Sequence, residues 1–175
     1  MKHHFVSLLA ACSALLIATG CNGAAPPEES DATQDVSLAG AWHSRIHFNG
    51  GVLGGVPDLE FLYSYNAGGT MTESSNYDEA ANSSPPAYGV WRKRGPRQFE
   101  TKYLFYQTRA PAPADGPGND NAWLPAGRGV LTEAITLSAD GKSYTSTIKY
   151  VSFDKSGKAT TGGGEGGGVA TRIVF

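Results

Sequence analysis

Residues 38–48 read L-A-G-A-W-H-S-R-I-H-F. Trp42, Ser44, Ile46 and Phe48 fall on one face and His43, Arg45 and His47 on the other, the period-2 alternation of a strand with one buried side. Everything upstream reads as export and tether. Everything downstream reads as further strands, and their number and spacing decide the architecture.

The chain has 175 residues, enough for one well-buried domain. Its 23 glycines and only 17% charged residues suit many strands joined by turns better than a helical bundle. The formal net charge is -2, and loss of the leader would remove Lys2 and no acid. Nothing in that balance supplies the basic patch a nucleic-acid partner requires.

Residues 1–21 carry the marks of a bacterial export signal: Lys2 with His3 and His4, an apolar run over 5–17, then A-T-G-C. The run is too short to span a membrane. Ala18-Thr19-Gly20-Cys21 resembles a lipobox, which implies that Cys21 becomes the lipid-modified N-terminus anchoring the protein to a membrane. Cys12 leaves with the leader, so no intramolecular disulfide is expected in a compartment that permits one. Asn22 in place of Asp after the cysteine implies, by resemblance to sorted lipoproteins, the outer membrane of a Gram-negative cell. Residues 22–37 are small, acidic and proline-containing and read as a flexible tether, leaving 38–175 as the folded domain.

Beyond 38–48, alternating patterns predict strands over 58–65, 70–74, 88–93, 98–108, 129–138, 142–153 and 169–175. Tight turns are expected at 66–69, 94–97 and 139–141, the last with Asp-Gly in the turn. Longer connections are expected at 49–56, 75–87 and 109–127, and around 154 with the glycine run 162–168. The nineteen residues of 109–127, rich in proline and glycine, suggest a lid, with Trp123 and Leu124 as apolar residues that close onto a ligand or pack down. The fold class is therefore all-β, a single antiparallel up-and-down barrel of about eight strands. If sequence neighbours are spatial neighbours, the tight turns gather at one end and the long connections at the other, the shape of a ligand cup.

Gly40-Ala41-Trp42 with the late Thr171-Arg172-Ile173 resembles the calycin signature of lipocalin-like barrels. In that family a first-strand tryptophan packs beneath a basic residue of the final strand, so the resemblance implies a structural role for Gly40, Trp42 and Arg172 at the closed end. The chain resembles a lipocalin-like bacterial lipoprotein or, as a second candidate, a barrel of the allene oxide cyclase kind. Such relatives include ligand carriers and cyclases, so the resemblance leaves binding and catalysis both open.

Glu133 shares its face with Leu131, Ile135 and Leu137 and is expected to point into the barrel, where poor solvation raises a carboxyl pKa. It is the candidate acid or base if there is catalysis. Phe61, Tyr63, Tyr103, Phe105, Ile148 and Tyr150 join it as candidate ligand-binding residues on inward faces. His43 and His47 stand roughly 13 Å apart on the outer face of their strand and do not read as metal ligands. Asp115, Asn119, Asp120 and Asn121 lack calcium-loop spacing, and the glycine run lacks the G-K-[ST] of a phosphate loop. No cofactor or metal is expected. The leading expectation is a monomeric, exported, lipid-anchored barrel that binds a small apolar or amphipathic molecule. The alternatives are a small cyclase or isomerase using Glu133 or a buried tyrosine, and an integral outer-membrane barrel suggested by the terminal Val169, Ile173 and Phe175.

Overall fold

In the computed structural model the described residues are 36–77, 85–116 and 123–175, all within the unit Thr33–Phe175. The export signal with Cys21, the tether up to residue 35, and Asn119, Asp120 and Asn121 lie outside them.

Eight antiparallel strands close into an up-and-down barrel in simple sequence order. They are β1 (Gly40–Phe48), β2 (Leu59–Tyr65), β3 (Thr70–Ser75), β4 (Ala87–Lys93), β5 (Gln98–Arg109), β6 (Leu124–Leu137), β7 (Ser143–Asp154) and β8 (Gly164–Arg172). β1 closes the ring against β8, with Trp42 opposite Arg172 on one side and Tyr63 on the other. Alternation explains the burial. Trp42, Ser44, Ile46 and Phe48 on β1, and Leu59, Phe61, Tyr63 and Tyr65 on β2, are all buried. Each apolar side chain of this size contributes about 1.5–3 kcal/mol when withdrawn from water. The intervening positions form the outer wall, where Glu60 faces His43 at 3.2 Å and Arg45 at 3.5 Å, and Glu100 pairs with Arg92.

Short turns close one end. Asn66 accepts the Gly69 amide at 3.0 Å, and Gly69 takes φ 85°, a conformation that favours glycine. At the next hairpin Asp140 Oδ1 accepts from the Lys142 amide and the Ser138 hydroxyl, and Gly141 supplies φ 67°. The longer connections leave and re-enter the barrel at the other end.

The structure corrects three expected boundaries. The connection after β5 is shorter than 109–127, because β5 continues to Arg109 and β6 begins at Leu124. Pro125 hid this extension, since proline cannot donate to a ladder. It is tolerated here beside a register shift between Gln107 and Thr108. Leu124 is consequently the first residue of a strand, and the described start of the connection is pinned by Arg109, which donates to both Asp115 carboxylate oxygens at 2.7 and 2.6 Å. Most of the glycine run is strand and not connection: Gly164, Gly166, Gly167 and Gly168 belong to β8, all four pairing with β7 and the last three also with β1. The final strand ends at Arg172, so Ile173, Val174 and Phe175 stand exposed beyond it.

Candidate functional site

The barrel interior is built in three levels, each set by which inward residues meet across the register. At the closed end Trp42 is fully buried, and Arg172 lies over its ring at 4.2 Å. The guanidinium also donates to the carbonyls of Gly141, Ala39 and Ser37, while the Trp42 indole N–H donates to Leu38 O. Tyr144 tilts against Trp42 at 4.9 Å, completing a floor.

Above the floor sits a polar level. Thr101, Glu133 and Ile148 face one another across β5, β6 and β7, and Ser146 pairs with Ile135, two residues along from Glu133. Glu133 is 1% exposed, and neither carboxyl oxygen has a partner in good hydrogen-bond geometry, the Ser146 and Tyr63 hydroxyls being its near neighbours. Burial pushes its pKa up to about 7, with the Ser146 and Tyr63 hydroxyls pulling it back part of the way. Tyr63 and Tyr103 join their hydroxyls at 2.9 Å. Burial first, and then the negative potential of Glu133, hold Tyr63, Tyr65, Tyr103 and Tyr144 well above the ordinary phenol range. The Thr101, Tyr65, Tyr144 and Ser146 hydroxyls are likewise buried without a hydrogen bond of good geometry, Tyr65 and Tyr144 lying near enough to act on one another. Each such group costs about 1–3 kcal/mol, and native interiors rarely leave one unmet. Six such atoms lie between the Trp42 floor and the cavity, with the Tyr144 hydroxyl rising from the floor.

The third level opens beneath the long connections. A cavity of about 300 Å3 is lined by Val52, Leu53, Leu59, Phe61, Phe105, Leu131 and Tyr150, with Glu73, Ser75, Tyr77, Gln107 and Thr108 as its main polar groups. Phe105 and Tyr150 stack at 6.0 Å over Gly129, where a Cβ would stand 2.3 Å from the Phe105 ring. Glycine is therefore what lets this aromatic wall seat. Gln107 Nε2 donates to Tyr150 Oη at 2.7 Å and lies 3.3 Å from Ser152 Oγ, so one side of the cavity is a small polar network. Glu73 is nearly buried at the cavity's edge.

Of the residues singled out from sequence, Phe61, Phe105 and Tyr150 line the cavity. Tyr63, Tyr103 and Glu133 lie in the packed level beneath it, with Ile148 buried opposite Glu133. Trp42 and Arg172 are at the floor, and Gly40 is pressed against Arg172, whose Nη1 would stand 2.5 Å from a Cβ there. Trp123 is half-exposed and does not line the cavity. The sequence reading missed Leu59, Glu73, Gln107 and Leu131. Parity alone places Glu73 with Met71 and Gln107 with Phe105, so the signal was present and the polar residues were passed over. Val52 and Leu53 were not findable that way, because a connecting loop brings them over the mouth. Among the described residues no three His, Cys, Asp or Glu side chains group as metal ligands.

Fold and site together define a closed eight-stranded antiparallel barrel with a plugged floor and an apolar cavity at its loop end. Comparison with family models, curated proteins and solved structures returned no match.

Proposed function

We propose that this is a lipocalin-like, lipid-anchored extracytoplasmic barrel that holds a small, largely apolar molecule in its mouth cavity. The cavity carries the reading: about 300 Å3, mostly aliphatic and aromatic, with a few convergent polar groups, at the end opposite the Trp42 floor. Those are the usual attributes of a small-molecule site. The volume stands at the lower end of the range for such sites and suits a small molecule. The stacking of Arg172 on Trp42 supports the calycin resemblance, and Cys21 in its lipobox supports the anchor.

The polar outer wall weighs against a barrel that spans the membrane. Arg45, Glu60, Arg92, Glu100, Lys149 and Glu165 stand on outward positions, where a spanning barrel presents an apolar band to lipid. The cyclase or isomerase alternative has one observation in its favour, the Glu133 carboxyl held near neutrality, where a general acid or base works best.

Titration of the protein with an apolar fluorescent probe, alongside native mass spectrometry of material purified from its host, tests the binding reading. A stoichiometric guest supports it, and a barrel that takes up no apolar molecule overturns it. Loss of labelled fatty-acid incorporation on Cys21→Ser tests the anchor, and unchanged incorporation overturns it.

A further inference from the structure

We infer that the polar level under the cavity is a receptor for a primary ammonium group, so that the guest is a slender amphipathic amine entering head first. The inference rests on the mouth cavity being a binding site and adds the chemical class of what it takes.

Four observations converge on it. Glu133 brings two buried acceptor oxygens that no residue meets in good hydrogen-bond geometry, and the groups near enough to act on it are the hydroxyls of Ser146 and Tyr63, with no cation among them. The inward-facing cation of the barrel end, Arg172, is already engaged by Trp42 and three carbonyls. Tyr63, Tyr65, Tyr103 and Tyr144 all lie within electrostatic reach of Glu133, and aromatic rings beside a carboxylate favour a cation. Leu131 lines the cavity, and Glu133 is two residues further along the same inward face, roughly 7 Å deeper. A slender chain lying in the cavity carries its terminal group to that depth as the packed side chains between Leu131 and Glu133 give way.

The chemistry selects the head. An ammonium has three donors and a positive charge for a buried carboxylate, with hydroxyls at Thr101, Ser146, Tyr65 and Tyr144 to take the remaining donors. A carboxylate guest would place like charge against Glu133. An alcohol meets one or two of the orphan atoms and leaves the charge alone. A branched or large head does not fit a level packed with side chains that are almost wholly buried.

The other titratable groups around this level do not blur its response. Tyr63 and Tyr65 on β2, Tyr103 on β5 and Tyr144 on β7 are all raised and stay neutral, and Glu73 on β3 acts on Tyr103 from the cavity side. Ammonium binding therefore tracks Glu133 and strengthens as its proton leaves through about pH 7.

The test is calorimetric titration of the full chain with octylamine, 1-octanol and octanoate, at about pH 8 and about pH 6. The expected result is octylamine at least about tenfold tighter than 1-octanol at the higher pH. That preference should weaken about tenfold at the lower pH, while octanol binding stays level. Glu133→Gln, which keeps the side chain's shape, should bring octylamine to the level of octanol. Equal affinity of amine and alcohol, tighter binding of octanoate, or an amine preference that survives Glu133→Gln overturns the inference while leaving the cavity reading intact. Failure of all three probes overturns the cavity reading and this inference with it. If Glu133→Gln does not fold, the head-group and pH series on the unaltered protein decides.

Discussion

Arg172 lies 4.2 Å over the ring of Trp42 and opposite it in register, so the two ends of the domain close the barrel on one another. The guanidinium also binds the carbonyls of Ser37 and Ala39, which lead into β1, and of Gly141 in the β6–β7 turn. One side chain thus ties the entry segment, a hairpin and the last strand. Arg172→Ala should lower unfolding stability by about 2–4 kcal/mol, combining lost cation–π attraction with unmet carbonyls. Arg172→Lys should recover less than half of that, because an ammonium lacks the planar fork that reaches three carbonyls. Denaturant unfolding of the three proteins checks it, and a change below about 1 kcal/mol for the alanine variant would show that the floor holds without the clasp.

Glu133 should impose a pH slope of unusual sign. In the folded chain its carboxyl keeps the proton to about pH 7, whereas the unperturbed group releases it near 4.5. Between those values the folded state binds more protons than the unfolded state, so stability falls as pH rises through the window. The full effect is roughly 3 kcal/mol, complete above about pH 7. Glu100, Asp115, Asp140 and Asp154 have depressed pKa values, so their contributions are lost only at acid pH, on the other side of the maximum. Unfolding measured from about pH 5 to pH 8 should therefore decline, and Glu133→Gln should flatten that decline. A flat profile in the unaltered protein would refute the buried proton.

How much of this was legible beforehand follows from where the information resides. The alternation of Trp42 to Phe48 and Leu59 to Tyr65 is local, and so is the Asp140-Gly141 turn, so strands and closed end could be read directly. Loop lengths then sorted the ends of the barrel without any structure. The glycine half of β8 could not be read that way, because glycines carry no hydropathy and the reason for them is non-local: at Gly166 a Cβ would stand 2.0 Å from His47 O on β1. The start of β6 was hidden in the same manner by Pro125, whose tolerance depends on a register shift across the sheet. Parity put Glu133 inside but gave no depth, and only the register shows it one level below the cavity and beside Thr101.

The glycines of β8 offer a sharp contrast. Gly166 abuts β1 backbone, with a Cβ meeting His47 O at 2.0 Å and Phe48 Cα at 2.9 Å, and neither can move without opening the seam. At Gly167 the nearest atoms are the backbone Ser146 O at 3.2 Å, only a few tenths of an ångström inside ordinary contact, and the His47 ring at 3.3 Å, which can swing aside. Gly166→Ala should cost about 2–3 kcal/mol, in the range of overpacking. Gly167→Ala should stay within about 1 kcal/mol, since strain is offset by a less flexible unfolded chain. Thermal unfolding of the pair decides it, and equal losses would show that close approach is not why β8 is glycine-rich.

Ser75 ends β3 at the mouth and lines the cavity without belonging to the packed core, which makes it the place to separate binding from folding. An indole there projects into a space of about 300 Å3 and occupies much of it. Ser75→Trp should weaken an apolar fluorescent probe by at least about tenfold, because the displaced guest loses burial worth about 25 cal/mol per Å2. Unfolding stability should fall by less than about 2 kcal/mol, because the residue is half-buried at the end of a strand and only its own polar contact is lost. Leu131→Ala works in the opposite direction, enlarging the cavity toward Glu133 and admitting a longer guest at a cost of about 2–4 kcal/mol in stability. Paired probe titrations and denaturant curves on the two variants read both effects at once. Undiminished probe binding by Ser75→Trp would place the bound probe outside this cavity.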